Sequence, residues 1–250
     1  MKGTHKNKPL WISHRGYKTG TAENTYEAFQ AAVGLGFTAL ETDLRITKDH
    51  HIILIHDPTL ERLADDSRPV RELSRSQLEK IRFKDGGRPL FFDEFIKDFA
   101  GCMCALDIKA ENAHHTIQAL AEWWKRAGED PSLLNRWKFL TWRESHEKQL
   151  RGLFGEVRFY ARELECWRAG LAVMAGIPVF GGIKPGRTYA IVPSIAGRNL
   201  FRKSIVRPFH RRRAQTIAYL PATPQHTQAA VQAGFDEILT NGAILGAGGD

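Results

Sequence analysis

The residues equipped for chemistry fall at the ends of short apolar runs in the first half of the chain. His14 and Arg15 follow the run 10–13, Glu41 and Asp43 lie within 38–46, His56 follows 52–55, and Asp107 and Lys109 close 103–108. Glu41 and Asp43 are two residues apart, so on a strand both side chains point to one face, and Asp107 and Lys109 repeat that spacing. Buried carboxylates without partners cost several kcal/mol. Three around one point also repel each other unless a cation neutralises them. An all-oxygen set suits Mg²⁺ or Ca²⁺ with water completing the shell, whereas zinc usually brings Cys or His. His14 and His56 then fit as acid and base for an in-line displacement at a phosphodiester, because imidazole titrates near neutrality. Arg15 and Lys109 are suited to the non-bridging oxygens. The plainer alternatives are histidines satisfied by backbone and Glu41 and Asp43 salt-bridged to Arg15, Arg45 or Lys109. Asp107 would then be a structural partner of Lys109.

Positioning these groups requires a sheet whose strands end together. Apolar runs alternate with helical patterns along most of the chain, as in a parallel sheet with crossover helices. The cap chemistry of Glu23-Asn24-Thr25 predicts a helix from Asn24, with Phe29 and Val33 as its apolar stripe, ended by Gly34 and Gly36. About five residues separate 38–46 from 52–55, too few for a crossover of ~10–12 residues, so Asp49-His50 should turn a hairpin. That hairpin would return His56 beside Glu41 and Asp43. Short helices are expected near 74–78 and 91–99 and a long one over 114–126, with others over 145–154 and 224–233. Strands are expected at 138–141, 157–160, 190–194, 216–220 and 237–239, while 166–190 yields no clear pattern. The length of 250 residues matches one α/β barrel. The expected fold is an irregular TIM (β/α)8 barrel, taken as a single domain over 1–250, with a small lobe inserted after the third strand over about 58–100. Active sites of such barrels lie at the carboxyl ends of the strands, where the residues above fall.

Composition narrows the classes further. With 42% hydrophobic and 26% charged residues, the chain is neither disordered nor collagen-like nor a coiled coil. Three cysteines cannot close a disulfide framework, and Cys102-Met103-Cys104 has the wrong spacing for a zinc knuckle. Cys102, Cys104 and Cys166 read as buried thiols. The longest uncharged stretch, 169–183, is broken by glycines and Pro178, and a spanning helix needs ~20 apolar residues. With no evident signal peptide, the expected location is cytoplasmic. The net charge of +8 is uneven: between Glu165 and Asp236 there are ten Lys and Arg and no acid. That asymmetry fits an anionic partner or a solvated basic face. Within it, 198–213 carries Phe201, Ile205 and Phe209 at helical spacing. It reads either as an interfacial helix against anionic lipid or as a barrel helix packing that stripe inward. Pro208 should break or kink it.

The chain resembles the glycerophosphodiester phosphodiesterase family. The resemblance is carried by His14-Arg15-Gly16, Glu23-Asn24-Thr25 with Ala28-Phe29, Glu41-Thr42-Asp43-Leu44, Thr47-Lys48-Asp49, and His56-Asp57-Pro58-Thr59-Leu60 with Arg62. Leu106-Asp107-Ile108-Lys109 and the closing 233–241 continue it. It is dense through about the first 110 residues and sparse from there to Ala233. It implies a TIM barrel that hydrolyses glycerophosphodiesters to glycerol 3-phosphate and an alcohol, a step of lipid metabolism, with a divalent metal, Mg²⁺ or Ca²⁺. By that resemblance His14 and His56 are the acid–base pair, Glu41, Asp43 and Asp107 the metal ligands, and Arg15 and Lys109 the phosphate contacts. Three stretches depart from the family pattern. Asp107 stands where the family usually has Glu, Thr141-Trp142 where it has Ser-Phe, and Tyr219-Leu220-Pro221-Ala222 where it has Trp-Thr-Val-Asn.

Two further functions fit the same residues. A phospholipase D-like phosphodiesterase acting on lysolipids or sphingolipids would use the basic segment at a membrane. A protein that only binds phosphate ligands or nucleic acid would use the charge without catalysis, but both histidines are present and no nucleic-acid module is identifiable. The partner expected is therefore a small-molecule phosphodiester, with no nucleic acid. The nucleophile is water or the substrate's own hydroxyl.

Overall fold

The computed structural model describes residues 8–128 and 130–245. It contains two compact units, one from Ser13 to Phe159 and one made of the chain up to Ile12 together with Tyr160 onward.

In the unit from Ser13 to Phe159, the end of β1 (Leu10–His14) is followed by α1 (Tyr26–Gly34), β2 (Ala39–Ile46) and β3 (Ile52–Leu54). Next come β4 (Thr59–Leu60), α2 (Glu61–Ala64), β5 (Asp66–Pro69), α3 (Arg75–Leu78), β6 (Leu90–Phe91) and α4 (Phe92–Phe99). The unit closes with β7 (Met103–Ile108), α5 (Ala113–Arg126), α6 (Pro131–Leu134), β8 (Trp137–Leu140), α7 (Glu144–Phe154) and β9 (Arg158–Phe159). The strands lie in the order β1-β2-β7-β8-β9, with the β2–β7, β7–β8 and β8–β9 pairs parallel. All eight residues of β2 are buried, as expected of a central strand covered on both faces.

The expected hairpin is present. β3 pairs antiparallel with β2, Leu44 opposite Leu54 and Ile46 opposite Ile52, and the Thr47 amide donates to the His51 carbonyl across the turn. The α1 helix ends at Gly34 as expected, but its start and its buried face need correction. The helix starts at Tyr26 because Asn24 takes a left-handed φ of 56°, leaving Thr25 to cap by accepting from the Ala28 amide. Its buried face is Ala28, Phe29 and Ala32, and Val33 is exposed. The segment after His56 gathers Leu60, Leu63, Val70, Leu73, Leu78 and Phe83 into a buried cluster with Ile53, Ile55 and Phe91.

The second unit holds α8 (Glu163–Met174), a 3-10 turn (Pro178–Gly181), β10 (Thr188–Ile191) and a ribbon of β11 (Ser194–Ile195) with β12 (Arg198–Asn199). It continues through α9 (Lys203–His210), β13 (Gln215–Tyr219), α10 (Pro224–Ala233) and β14 (Glu237–Thr240). Its strands run β10-β13-β14-β1, parallel where β13 meets β10 and β14. Its core is built on Tyr189, Phe201, Ile205, Phe209, Phe235 and Ile238. The strand expected at 190–194 begins two residues earlier and ends at Ile191, because the chain turns at Pro193 into the ribbon. Pro208 does not break α9, which runs on to His210. In so short a helix its missing N–H removes little of the ladder. The stripe Phe201, Ile205 and Phe209 lies in the core, so the exposed residues of the 198–213 segment are polar or charged. Among the described residues no helix is long and apolar enough to cross a membrane.

One tight approach locks the loop after β1. Gly16 has φ +82°, and a Cβ there would lie 2.6 Å from the backbone carbon and Cβ of Ala28. A side chain at this position meets both backbone strain and a steric clash. Gly16→Ala is therefore expected to destabilise the protein by roughly 2 kcal/mol or more. Calorimetry should show a clearly lowered Tm, and an unchanged Tm would contradict the packing described.

Candidate functional site

Register brings the carboxylates together. On the parallel pair β2–β7, Asp43 lies directly beside Asp107, and Glu41 lies two residues before Asp43 on the same face. One carboxylate oxygen from each of the three falls within 4.8 Å of the others, and all three residues are buried.

Two cations reach into this group. The Lys109 Nζ stands 2.7 Å from Asp43 Oδ1 and 2.6 Å from Asp107 Oδ2. The Arg15 Nε stands 2.9 Å from Asp43 Oδ2, which also accepts from Asn24 Nδ2 at 2.9 Å. Burial works against the charge on Asp43, but Lys109 and Arg15 outweigh it and hold that carboxyl below its usual range. The same carboxylates raise Lys109 against the burial that would lower it. Asp107 is pushed up, first by burial and also by Asp43, despite Lys109 and the indole N–H of Trp142, which donates to its Oδ1 at 3.1 Å. Glu41 stands apart. Its Oε2 is buried and accepts no hydrogen bond, and its nearest ion-pair contact is His14 Nε2 at 3.8 Å. Burial, with repulsion from Asp43 and Asp107, drives its carboxyl well above the ordinary value.

These observations test whether a divalent cation suits the residues. The donor atoms are all oxygen, and one of them is an orphaned buried acceptor aimed into the cluster. Two positive side chains face three carboxylates. A hard, oxygen-seeking cation fits that deficit.

The histidines and Arg15 are placed by unusual backbone. Arg15 follows the last residue of β1 with a φ of 59°, a costly conformation for a residue with a side chain. It is held because its amide donates to the Glu41 carbonyl and its carbonyl accepts from the Asn24 amide. His14 at the end of β1 is buried. His56 is positioned through the hairpin. The Ile55 amide donates to the Asp43 carbonyl, and Arg45 donates from Nε and Nη2 to the His56 carbonyl. Its Nδ1 lies 2.7 Å from Asp57 Oδ1, and Asp57 Oδ2 accepts from Arg62 Nε at 2.6 Å. Arg62 Nη2 then donates to Glu23 Oε1, which also accepts from Arg15 Nη1. A continuous chain of hydrogen bonds thus joins the Arg15 side to the His56 side. Asp57 and Glu23 are each opposed by burial but held low by their arginine and histidine partners.

The sequence points to seven residues. The structure gathers Arg15, Glu41, Asp43, Asp107 and Lys109 into one cluster with His14 at its edge, and brings the His56 backbone beside the Asp43 strand. Asn24 reads from the sequence as helix-cap chemistry, whereas its side chain donates to Asp43 and accepts from Thr42 Oγ1. The signal was its place between Glu23 and Thr25 in a stretch that already resembled a family. Trp142, a departure from the family pattern, also borders the cluster. The residue is 44% exposed, and its ring centroid lies 6.0 Å from the Lys109 ammonium.

The ionic arrangement has a measurable consequence. Lys109→Met leaves Asp43 and Asp107 facing each other in a buried site, and breaking such pairing costs about 3–5 kcal/mol. Its Tm is expected to fall well below that of the wild type and to recover in part when Mg²⁺ or Ca²⁺ is added. An unchanged Tm without cation would show that the ammonium does not neutralise the cluster.

A model of the "Glycerophosphoryl diester phosphodiesterase family" matches residues 14–139. Among curated relatives, a glycerophosphodiester phosphodiesterase of Caldanaerobacter subterraneus subsp. tengcongensis is 36% identical over 74 residues, 30% of this chain and 30% of the relative. A mouse lysophospholipase D, GDPD1, is 42% identical over 115 residues, 40% of this chain and 36% of the relative. The matched stretches thus span about a third of these relatives' length. Solved structures match more widely. The glycerophosphoryl diester phosphodiesterase domain of Mycobacterium tuberculosis Rv2277c superposes with a TM-score of 0.81 at 14% identity, covering 96% of this chain and 98% of that one. A glycerophosphodiester phosphodiesterase from Agrobacterium tumefaciens gives 0.74 at 19%, covering 96% and 99%. Identities this low speak for the fold alone: it is the TIM (β/α)8 barrel expected from the sequence, with eight parallel strands.

Proposed function

The chain belongs to the glycerophosphoryl diester phosphodiesterase family, and on that premise we propose that it hydrolyses glycerophosphodiesters to glycerol 3-phosphate and an alcohol. The observation that carries the proposal is the buried group of Glu41, Asp43 and Asp107 on the neighbouring strands β2 and β7, with His14 against Glu41. Family membership gives the reaction class, and the site supplies residues of the types it needs.

His14 and His56 act as the acid–base pair, one taking a proton from the nucleophile and the other giving one to the leaving alkoxide. With Asp57 on its Nδ1, His56 keeps Nε2 for the substrate. Arg15 and Lys109 turn from the carboxylates toward the phosphate oxygens, Arg15 with the fork geometry that suits two oxygens at once. Asn24 keeps Asp43 oriented while Arg15 does so. Glu41 and Asp43, with Asp107 as third ligand, would hold Mg²⁺ or Ca²⁺. Such a cation, when bound, activates the nucleophile and offsets charge developing on the phosphoryl oxygens. The same reading takes 1–250 as one cytoplasmic domain, with 58–100 as an inserted lobe. A second reading, phospholipase D-type cleavage of lysolipids, is favoured by the mouse relative named lysophospholipase D.

The test is release of glycerol 3-phosphate from glycerophosphocholine and glycerophosphoethanolamine, with Mg²⁺, Ca²⁺ or EDTA. Turnover is expected to require the cation and to fall by about 10²–10⁴-fold in His14→Ala and in His56→Ala. Full activity in either variant would contradict the assignment. Turnover of lysolipid alone would select the second reading.

A further inference from the structure

α8 carries apolar residues on two opposite sides. One side, with Ala169 and Val173, is buried in the core with Tyr189, Ile205 and Phe209. The other presents Leu164, Trp167, Leu171 and Met174, spaced three, four and three residues apart and all exposed, Leu164 to 82%. A helix on a protein surface ordinarily turns a polar face outward. The ridge continues beyond the helix, where Ile177 is exposed and the 3-10 turn holds out Val179 and Phe180 at 70% and 73%. Of the fifteen large apolar residues exposed among the described residues, seven fall within 164–180. Singly exposed apolar residues need no explanation, but a contiguous patch does.

The ridge is built rather than frayed. The Ile177 amide donates to Ala172 O at 2.9 Å, and the Phe180 amide to Ile177 O at 3.1 Å. Arg168 Nε donates to Gly181 O at 3.1 Å. Gly181 lies so close to α8 that a Cβ there would come within 3.2 Å of the Ala169 Cα. The turn is thereby pinned to the helix with its two largest apolar side chains facing out.

Charge selects the occupant. α9 packs beside α8 through Ile205, Val206 and Phe209, and its exposed residues include Arg202, Lys203, Arg207, Arg211 and Arg213 just before, within and after it. No acid occurs from 166 to 235. Of the two acids in α8, Glu165 is buried against Lys184 and Arg162, which leaves Glu163 at the first residue. In a symmetric pair of copies the patch would meet itself and bring like charges together. A nucleic acid would meet the charge but not the aliphatic ridge. An anionic bilayer satisfies both, with the apolar side chains entering about 5–10 Å into the acyl boundary and Lys and Arg remaining at the headgroups.

We propose that the outer face of α8 and the turn Pro178–Gly181 form a peripheral docking surface for anionic lipid bilayers, flanked by the basic exposed face of α9. Docking depends on no step of the proposed reaction. The test is flotation of the full chain with phosphatidylcholine vesicles, with and without added phosphatidylglycerol. The wild type is expected to float with the anionic vesicles, less so at high salt, with a blue shift of tryptophan emission that Trp167→Phe diminishes. Phe180→Glu with Val179→Asp, and separately Lys203→Glu with Arg207→Glu, should each weaken binding by roughly tenfold or more. All four positions are exposed, so circular dichroism and turnover of soluble glycerophosphodiester should remain at wild-type level. Wild-type protein that ignores anionic vesicles, or flotation indifferent to the Phe180 variant, would overturn the proposal. So would a wild-type dimer that Phe180→Glu converts to monomer without any lipid binding, since the face would then join two copies.

Discussion

The site depends on how three buried carboxylates share two positive side chains. Lys109 lies between Asp43 and Asp107, Arg15 takes the other Asp43 oxygen, and Glu41 is left with a buried oxygen that accepts nothing. Unpaired buried charge is among the most expensive features a fold can carry. Here the expense is concentrated at one residue. Asp43 is the most fully partnered of the three, while the Glu41 carboxyl is pushed well above its ordinary range by burial and by its two acidic neighbours. A chain built only for stability would place an apolar residue at position 41.

The surrounding backbone serves that cluster. Parallel register sets Asp43 beside Asp107, and the left-handed turn at Arg15 is tied by hydrogen bonds to Glu41 and Asn24. The β2–β3 hairpin fixes the His56 backbone to the strand that carries the acids. The hydrogen-bonded chain through Asp57, Arg62 and Glu23 then ties the His56 imidazole to Arg15 over a long sequence separation. The pairs made by Arg62 and His56 in that chain are partly exposed on one side, so their value lies in fixing orientation more than in stability, whereas Arg15–Glu23 is largely buried.

Much of this was legible because strands leave a strong trace. The two-residue spacing of Glu41 with Asp43 and of Asp107 with Lys109 already placed charges on common faces, and the short 47–51 connection allowed only a hairpin. What was missed has physical causes. α8 is apolar on opposite sides, so it shows no single amphipathic period and leaves 166–190 without a clear pattern. Asn24 obeys the statistics of helix caps while its side chain serves Asp43, because a left-handed residue just before the helix can point inward. The stripe in 198–213 has a period equally suited to a core or a membrane. Only the fold shows that it faces the core.

Calorimetric titration with Mg²⁺ and with Ca²⁺, comparing wild type with Glu41→Gln, tests the central claim that the three carboxylates form a cation site. The variant keeps the volume of the side chain and removes its charge, so its fold should be preserved. Saturable binding of one cation per chain, weakened by roughly tenfold or more in Glu41→Gln, is the predicted result. Binding of neither cation, or binding equally tight in the variant, would contradict it.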